Sequence, residues 1–554
     1  MTMSTMRPND LYESPADTDV AIVGNGPIGA ALSVLLARRG LRVTVLERRP
    51  RPYLLPRATS FDGETARLLA GTGIGDEDGI GRITEPATGY QWRTAAGETL
   101  LDIAFSPMGR YGWPDANTMH QPALEELIAA RAAALPGITV LRGHRVVDLT
   151  EHDDRVALTV ESDDGSSRSV VAHWVVGCDG ANSFVREHLG VPMTDLGFSY
   201  EWLLCDVELH EPREFTPTNV QVCDPARPTT LVGSGPGHRR WEFMRLPGES
   251  SAELNKEETA WRLLGPYGVT PDTATLLRST TYIFRATWAE QWRAGRVLLA
   301  GDAAHLMPPF AGQGMCSGIR DAANLAWKLD LTLRGLADAG VLDTYAEERR
   351  QHVKDSILSS VQLGRVICVT DPAAAAERDA TVLAGRRGRK GPGQPEPAKP
   401  LSGGLLHLPG EQGAGPLPGS VVPQGRVSAQ GGTGLFDEVV GRGFVLLCTD
   451  DPRPALGEER WSYLSALDTH VVRLLPPGAA EATGDTGQGL TEAIDVDGFY
   501  RAYLAEHRAT AVLVRPDYHV FGSAHGPEDI APLVDALRAG LKTPVPAGGP
   551  RQAG

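Results

Sequence analysis

The chain has 554 residues, with 53 Lys and Arg against 69 Asp and Glu and a net charge of −16. That length exceeds one hydrophobic core and suits about three domains, and an acidic balance without a basic stripe excludes a nucleic-acid-binding class. Six scattered cysteines, Cys178, Cys205, Cys223, Cys316, Cys368 and Cys448, form no CxxC pair and no metal-ligand spacing, which predicts packing thiols of a cytoplasmic protein and no metal site.

Residues 1–18 are polar, carry Pro8 and Pro15 and lack the apolar core of a signal peptide, so they are expected to be a flexible lead-in. No later apolar run is long enough to span a bilayer, and no membrane partner is expected. Residues 20–23 read as a buried strand that opens into Gly24-Asn25-Gly26-Pro27-Ile28-Gly29. Apolar residues at helical spacing follow (Ile28, Ala31, Leu32, Leu35, Leu36), then a second strand over 43–46 and Glu47. In that context Gly24 permits a tight turn, Gly26 admits a pyrophosphate close to the backbone, and Gly29 allows tight helix-on-strand packing. Free N–H groups at the helix start face the phosphates, and Glu47 stands about 20 residues on, where an acid bonds an adenosine ribose. An ADP-containing cofactor is predicted. Arg48 faces either a phosphate or solvent.

Further along, Gln121-Pro122 leads into a helix carrying Leu124, Leu127, Ile128 and Arg131, and residues 138–141 and 145–149 read as strands. Strands over 156–162 and 169–176 bracket Asp163-Asp164-Gly165 as a hairpin, and the second runs into Gly177-Cys178-Asp179-Gly180 with Ser183 and Arg186 behind it. Short alternating strands over 191–285 suggest a sheet domain inserted into a nucleotide domain made of 19–190 and 286–384. Within it, Gly233-Ser234-Gly235-Pro236-Gly237 precedes a strand rather than a helix, so it reads as a hairpin turn and not a second phosphate loop. On the strand 240–244 Trp241 and Phe243 share one face and Arg240 and Met244 the other; either face could look inward.

An apolar strand over 296–300 ends in Gly301-Asp302, followed by His305, Pro308-Pro309 and Gly312-Gln313-Gly314-Met315. The long helix that follows should bury Ile319, Ala322, Ala323, Ala326, Leu329 and Leu333, with Arg320, Asp321 and Lys328 off that face. Pro and Gly dominate 385–425, a linker or wrapping segment. Residues 426–545 form a third α/β unit, with strands at 444–448, 471–474 and 511–514 and helices at 461–467, 498–506 and 530–541.

Three ordered segments, the Gly24–Gly29 fingerprint, Gly177-Cys178-Asp179-Gly180 with Ser183 and Arg186, and Gly301-Asp302 with Pro308-Pro309 and Gly312-Gln313-Gly314, together resemble the single-component FAD-dependent aromatic hydroxylases of the p-hydroxybenzoate hydroxylase family. Arg239-Arg240-Trp241-Glu242-Phe243, Gly441-Arg442-Gly443-Phe444 and Arg515-Pro516-Asp517 resemble its 3-(3-hydroxyphenyl)propionate, aromatic polyketide and rifampicin branch. The resemblance implies an α/β fold: a Rossmann-like FAD-binding domain, an inserted β-sheet substrate domain and a C-terminal thioredoxin-like domain, here without CxxC.

The resemblance also implies FAD held by Gly24, Gly26, Pro27, Gly29, Glu47, Arg48, Arg57, Gln121, Val146, Asp179 and Asp302, and by Pro309, Gly312, Gln313, Gly314 and Met315 at the flavin. NADPH or NADH would serve as a transient co-substrate with O2, and a flavin C4a-hydroperoxide would hydroxylate a phenolic or polycyclic aromatic substrate. Trp241 and Phe243 would stack on rings or pack a core; His305 would act as a base or serve structure. The chain would work as a monomer or homodimer. Baeyer–Villiger or N-hydroxylating oxygenation and flavin dehydrogenation are the rival chemistries of the same fold.

Overall fold

The computed structural model describes residues 16–75, 77–387, 391–396, 398–408, 417–429, 431–479, 484–485 and 489–542. Most of the lead-in expected over 1–18 lies outside the described residues, and Thr18 already opens a strand.

Thr18–Val23 runs parallel to Val43–Glu47 on one side and to Ser167–Gly177 on the other. Ile138–Arg142 and Val297–Leu299 extend this sheet outward, also in parallel. Val20, Ala21 and Ile22 are fully buried, as expected of a parallel strand covered on both faces. Val156–Ser162 and Ser167–Gly177 form the expected antiparallel hairpin. The helices Pro27–Ala37, Gln121–Ala133 and Gly314–Leu333 meet through Ala31, Val34, Leu124, Ile128, Cys316 and Ile319.

A second eight-stranded sheet has the order His305–Leu306, Ala274–Ala289, Met193–Leu209, His238–Met244, Thr229–Gly233, Asn219–Val222, Gly89–Arg93 and Thr99–Ala104. Its last two strands lie inside the stretch assigned from sequence to the nucleotide domain. Asn219–Val222 offers an open edge, and Gly89–Arg93 satisfies it in parallel register. Gly233 and His238 end the two strands of the expected hairpin.

Two further helices, Val341–Ile367 and Pro372–Arg386, occupy residues for which no element was read from sequence. Val341, Tyr345, Val353, Ile357 and Val361 repeat at multiples of four and are buried, a helical stripe visible in retrospect. Part of the Pro/Gly stretch is laid along the second sheet. Gly393 N–H donates to Asp102 O at 2.8 Å, and Ala104 N–H to Gly393 O at 3.0 Å.

In the C-terminal part, Val445–Cys448 and His470–Leu475 are parallel and joined by the helix Arg453–Ala466. Ala511–Val514 and Val520–Ala524 then add antiparallel, and Pro527–Leu541 closes the thioredoxin-like unit. Cys448 is buried and followed by Thr449, Asp450 and Asp451; burial pushes its thiol up, the reverse of an activated cysteine. All six cysteines are free thiols. Among the described residues no helix is long and apolar enough to cross a membrane.

Candidate active site

Gly24 and Gly29 are fixed by contact. With φ of +101° Gly24 lies in the left-handed region, and a Cβ there would fall 2.4 Å from Cys178 O; a Cβ on Gly29 would fall 2.1 Å from Gly24 O. At Gly26, the residue before the Pro27–Ala37 helix, a Cβ would meet nothing within 4 Å. The first two glycines therefore serve packing, while Gly26 borders open space at a helix N-terminus, where a phosphate fits. Glu47 Oε2 accepts from Asn25 N–H at 2.8 Å and Oε1 from Arg49 N–H at 2.8 Å, which fixes the acid at its strand end.

The three sequence motifs converge here. Gly24 abuts Cys178, and Arg186 donates to Ala181 O and Ala303 O, each at 2.9 Å, tying the second motif to the third. Asp179 is spent on this joint: it accepts from Ser183 Oγ and from Val185 N–H, capping the helix Phe184–His188. Gln121 Oε1 accepts from Arg57 N–H at 2.9 Å and Ala58 N–H at 2.6 Å, while its Nε2 donates to Glu125. It holds the segment that presents the exposed Arg57 side chain.

Gly26, Pro27, Arg57, Gln121, Asp302, Pro309, Gly312, Gln313, Gly314 and Met315 all line one continuous cleft of about 2180 Å³. A single small-molecule site usually occupies roughly 300–1,000 Å³. The cleft is large enough for two ligands end to end. Within it the Asp302 carboxylate has no hydrogen-bond partner among the described residues, and burial, offset only in part by His305 and Arg57, raises its pKa. An unpartnered acceptor at a cleft wall suits a polyhydroxylated chain.

Sequence reasoning missed the charges behind Gln313. Arg320 donates to Asp62 at 2.6 Å, to Glu64 at 2.9 Å and to Gln313 Oε1 at 2.9 Å. Burial opposes ionisation of Asp62, yet Arg320 and the Thr65 N–H outweigh it and hold the carboxyl below its ordinary range. Arg320, expected off the buried face of its helix, is buried in this cluster.

The second sheet roofs the cleft with the face opposite to the one an aromatic-stacking role requires. Trp241 and Phe243 pack with Leu203, Cys205, Ala260 and Leu264 under the helix Glu257–Leu264, whereas Arg240 and Glu242 line the cleft. Of the two faces left open by the sequence, packing decides, because that helix supplies an apolar partner for one face only. Trp241→Phe is expected to cost about 1 kcal/mol of stability and leave the KM for an aromatic substrate unchanged, as read by denaturant midpoint and steady-state kinetics.

His305 also takes the structural role. Its Nε2 lies 2.7 Å from Asp321 Oδ2, its ring stacks on Trp292 at 5.3 Å, and it is 1% exposed and outside the cleft lining. Asp321 additionally accepts from Gly301 N–H and Arg349, so the pair shapes the Gly301-Asp302 turn. Arg48 is exposed, Val146 is buried on the strand His144–Glu151, and neither they nor Glu47 line the cleft. Phe499, Tyr503 and Glu506, from the C-terminal helix Phe499–Glu506, line its outer end. No signal in the sequence connected that helix to the site.

A model of the FAD binding domain matches residues 17–360, and one of the HcaD C-terminal domain matches 419–540. Over 540 residues the chain is 39% identical to a probable NADH-specific resorcinol 4-hydroxylase of Rhodococcus jostii, covering 96% of each chain. Over 515 residues it is 32% identical to the 3-(3-hydroxy-phenyl)propionate/3-hydroxycinnamic acid hydroxylase of Escherichia coli, covering 91% of each. The crystal structure of aklavinone-11 hydroxylase with FAD and aklavinone matches with a TM-score of 0.74 at 25% identity, over 95% of this chain and 99% of that one. With these relatives, the dinucleotide fingerprint opening into a cleft beneath a second sheet is that of a flavoprotein monooxygenase. The chain belongs to the FAD-dependent aromatic hydroxylases that carry this FAD binding domain and an HcaD-type C-terminal domain.

Proposed function

We propose that this enzyme hydroxylates a neutral phenol, with resorcinol-type rings as the first candidates and NADH as the reductant. When bound, FAD would supply the hydride-accepting and dioxygen-activating chemistry. The Gly26 N-terminus would hold its pyrophosphate and Asp302 its ribityl hydroxyls, while the Gln313-Gly314 helix start would favour negative charge on the reduced ring. The roof sheet would help to exclude water from the cleft beneath it.

One observation carries the substrate class. The cations that the roof presents, Arg240 and Arg278, are both held by Asp206, at 2.6 Å and 2.7 Å. Asp206 thus balances one of the two charges and engages both guanidiniums, and the other polar groups of the roof, Gln221, Thr230 and Thr280, suit hydroxyls. The named activity of the Rhodococcus relative supports the same reading.

The test is NADH consumption by the FAD-loaded protein with resorcinol, other simple phenols, polycyclic phenols and 3-(3-hydroxyphenyl)propionate, with product mass under ¹⁸O2. Resorcinol-type phenols should speed NADH oxidation and gain one labelled oxygen on the ring. Label in a ring-expanded ester, preference for the carboxylate substrate, or peroxide as the sole oxygen product would overturn the reading.

A further inference from the structure

We propose that Glu242 accepts the hydroxyl proton of the bound phenol, and so activates the ring for oxygen insertion. The inference rests on the neutral-phenol reading and adds to it a residue with a defined role.

Glu242 lies mid-strand in His238–Met244, directly across from Thr230 on one side and Leu204 on the other. The row continues to Gln221 and Trp92 in one direction and Thr280 in the other, and every one of these residues lines the cleft. A ring lying against Trp92 and Leu204 would set its hydroxyl among Gln221, Thr230 and Glu242. Only the last can take a proton near neutral pH.

Among the carboxylates beneath the roof, Glu242 is held only by a long ion pair to Arg240. Asp62 and Glu64 are both bonded by Arg320. Glu242 is ion-paired with Arg240 at 3.7 Å, longer than a close hydrogen bond. Arg240 cannot close that gap cheaply, because its Nε holds Asp206 and its two Nη atoms hold Arg57 O and Pro56 O. A carboxylate that faces a cleft with only one distant cation keeps acceptor capacity for a ligand hydroxyl.

The charged and titratable groups around Glu242 are Arg240 on its own strand, Asp206 on the adjacent strand, Arg278 on the next strand beyond it, and Tyr90 in the cleft lining. Burial raises the Glu242 pKa, and Arg240 and Arg278 offset this only in part. A carboxylate in that state is the stronger base. In the step itself the phenol O–H bond breaks, an O–H bond to Glu242 Oε forms, and the electron pair stays on the substrate oxygen. Ring carbons ortho and para to it gain electron density, and the proton returns to the product hydroxyl when the ring is restored.

The base must be ionised, so kcat/KM for the phenol should fall as pH drops through the Glu242 pKa. E242Q should lose that acid limb and about 10²-fold in hydroxylation rate, with FAD content reporting an intact fold. Independently of turnover, the ultraviolet difference spectrum of the wild-type holoenzyme should show the bound phenol as phenolate below its free pKa, and E242Q should not. E242D, which keeps a carboxylate one methylene shorter, should retain the phenolate band at reduced amplitude. An O-methylated phenol, with no proton to give, should bind wild type and E242Q equally. Retention of both the band and the acid limb in E242Q, or their loss in E242D with FAD still bound, would overturn the assignment while phenol hydroxylation by the wild type stands. A wild type that oxygenates no phenol would overturn the functional reading and this inference together.

Discussion

Glu348→Ala should destabilise the protein by about 3–5 kcal/mol, the usual cost of stripping one partner from a buried ion network. Glu348 accepts from Arg515 at 2.9 and 2.7 Å, Lys328 at 2.9 Å, Asn324 at 2.7 Å and Leu405 N–H at 2.8 Å. Asp517 takes the remaining face of Arg515 at 2.6 Å. Two carboxylates thus balance two cations, all at most 2% exposed. Removing Glu348 leaves Lys328 and Arg515 buried against Asp517 alone. The network joins two helices of the nucleotide domain to the C-terminal domain, so the loss should appear as early detachment of that domain in limited proteolysis and as a lower denaturation midpoint. Lys328→Met is the control. Burial pulls the Lys328 pKa down to about 8, so a methionine of similar shape should cost little only above that pH, and more at neutral pH, where it leaves two carboxylates against Arg515 alone.

The same network sets a pH dependence with a definite sign. Burial opposes ionisation of Glu348, but Arg515 and Lys328 prevail and hold its pKa at about 2, against an ordinary 4.5. Between those values the unfolded chain binds more protons than the folded one, so stability rises with pH there. The Glu348 contribution is complete above about pH 4.5 and disappears as pH falls through about 2. Glu348→Ala should flatten that part of the stability profile, measured by denaturant unfolding across the acid range.

Much of the site was legible because backbone geometry there leaves few residue choices. Gly24 and Gly29 abut other main chain, and only glycine fits, so the fingerprint stands in the sequence as it stands in space. The parts that were not legible depend on partners distant in the chain. Gly89–Arg93 finds its sheet through Asn219–Val222, and no local pattern encodes that pairing. Trp241 and Glu242 alternate faithfully, yet the choice of inward face belongs to the helix Glu257–Leu264 packed on the other side. Lys328 and Arg320 were assigned off the buried face because charges on a helix usually mean solvent. Glu348 and Arg515 bury the first, and Asp62 and Glu64 the second.

Gly26→Val should abolish practical FAD binding while leaving the fold intact, and it separates the two uses of glycine in the fingerprint. Gly26 has φ −78° and ψ −176°, an extended conformation open to any residue, and a Cβ there has no neighbour within 4 Å. The branched side chain would instead fill the space in front of the helix start. Two N–H bonds to a charged phosphate, at about 1.5–3 kcal/mol each, would be blocked, weakening FAD by roughly 10²- to 10⁴-fold. The purified variant should be colourless, with an unfolding midpoint equal to that of wild-type apoprotein. Gly29→Val would behave differently, because its Cβ collides with Gly24 O and no flexible group can yield. That variant should lose stability as well as flavin. If Gly26→Val retained stoichiometric FAD, the phosphates would have to be held elsewhere than at this helix start.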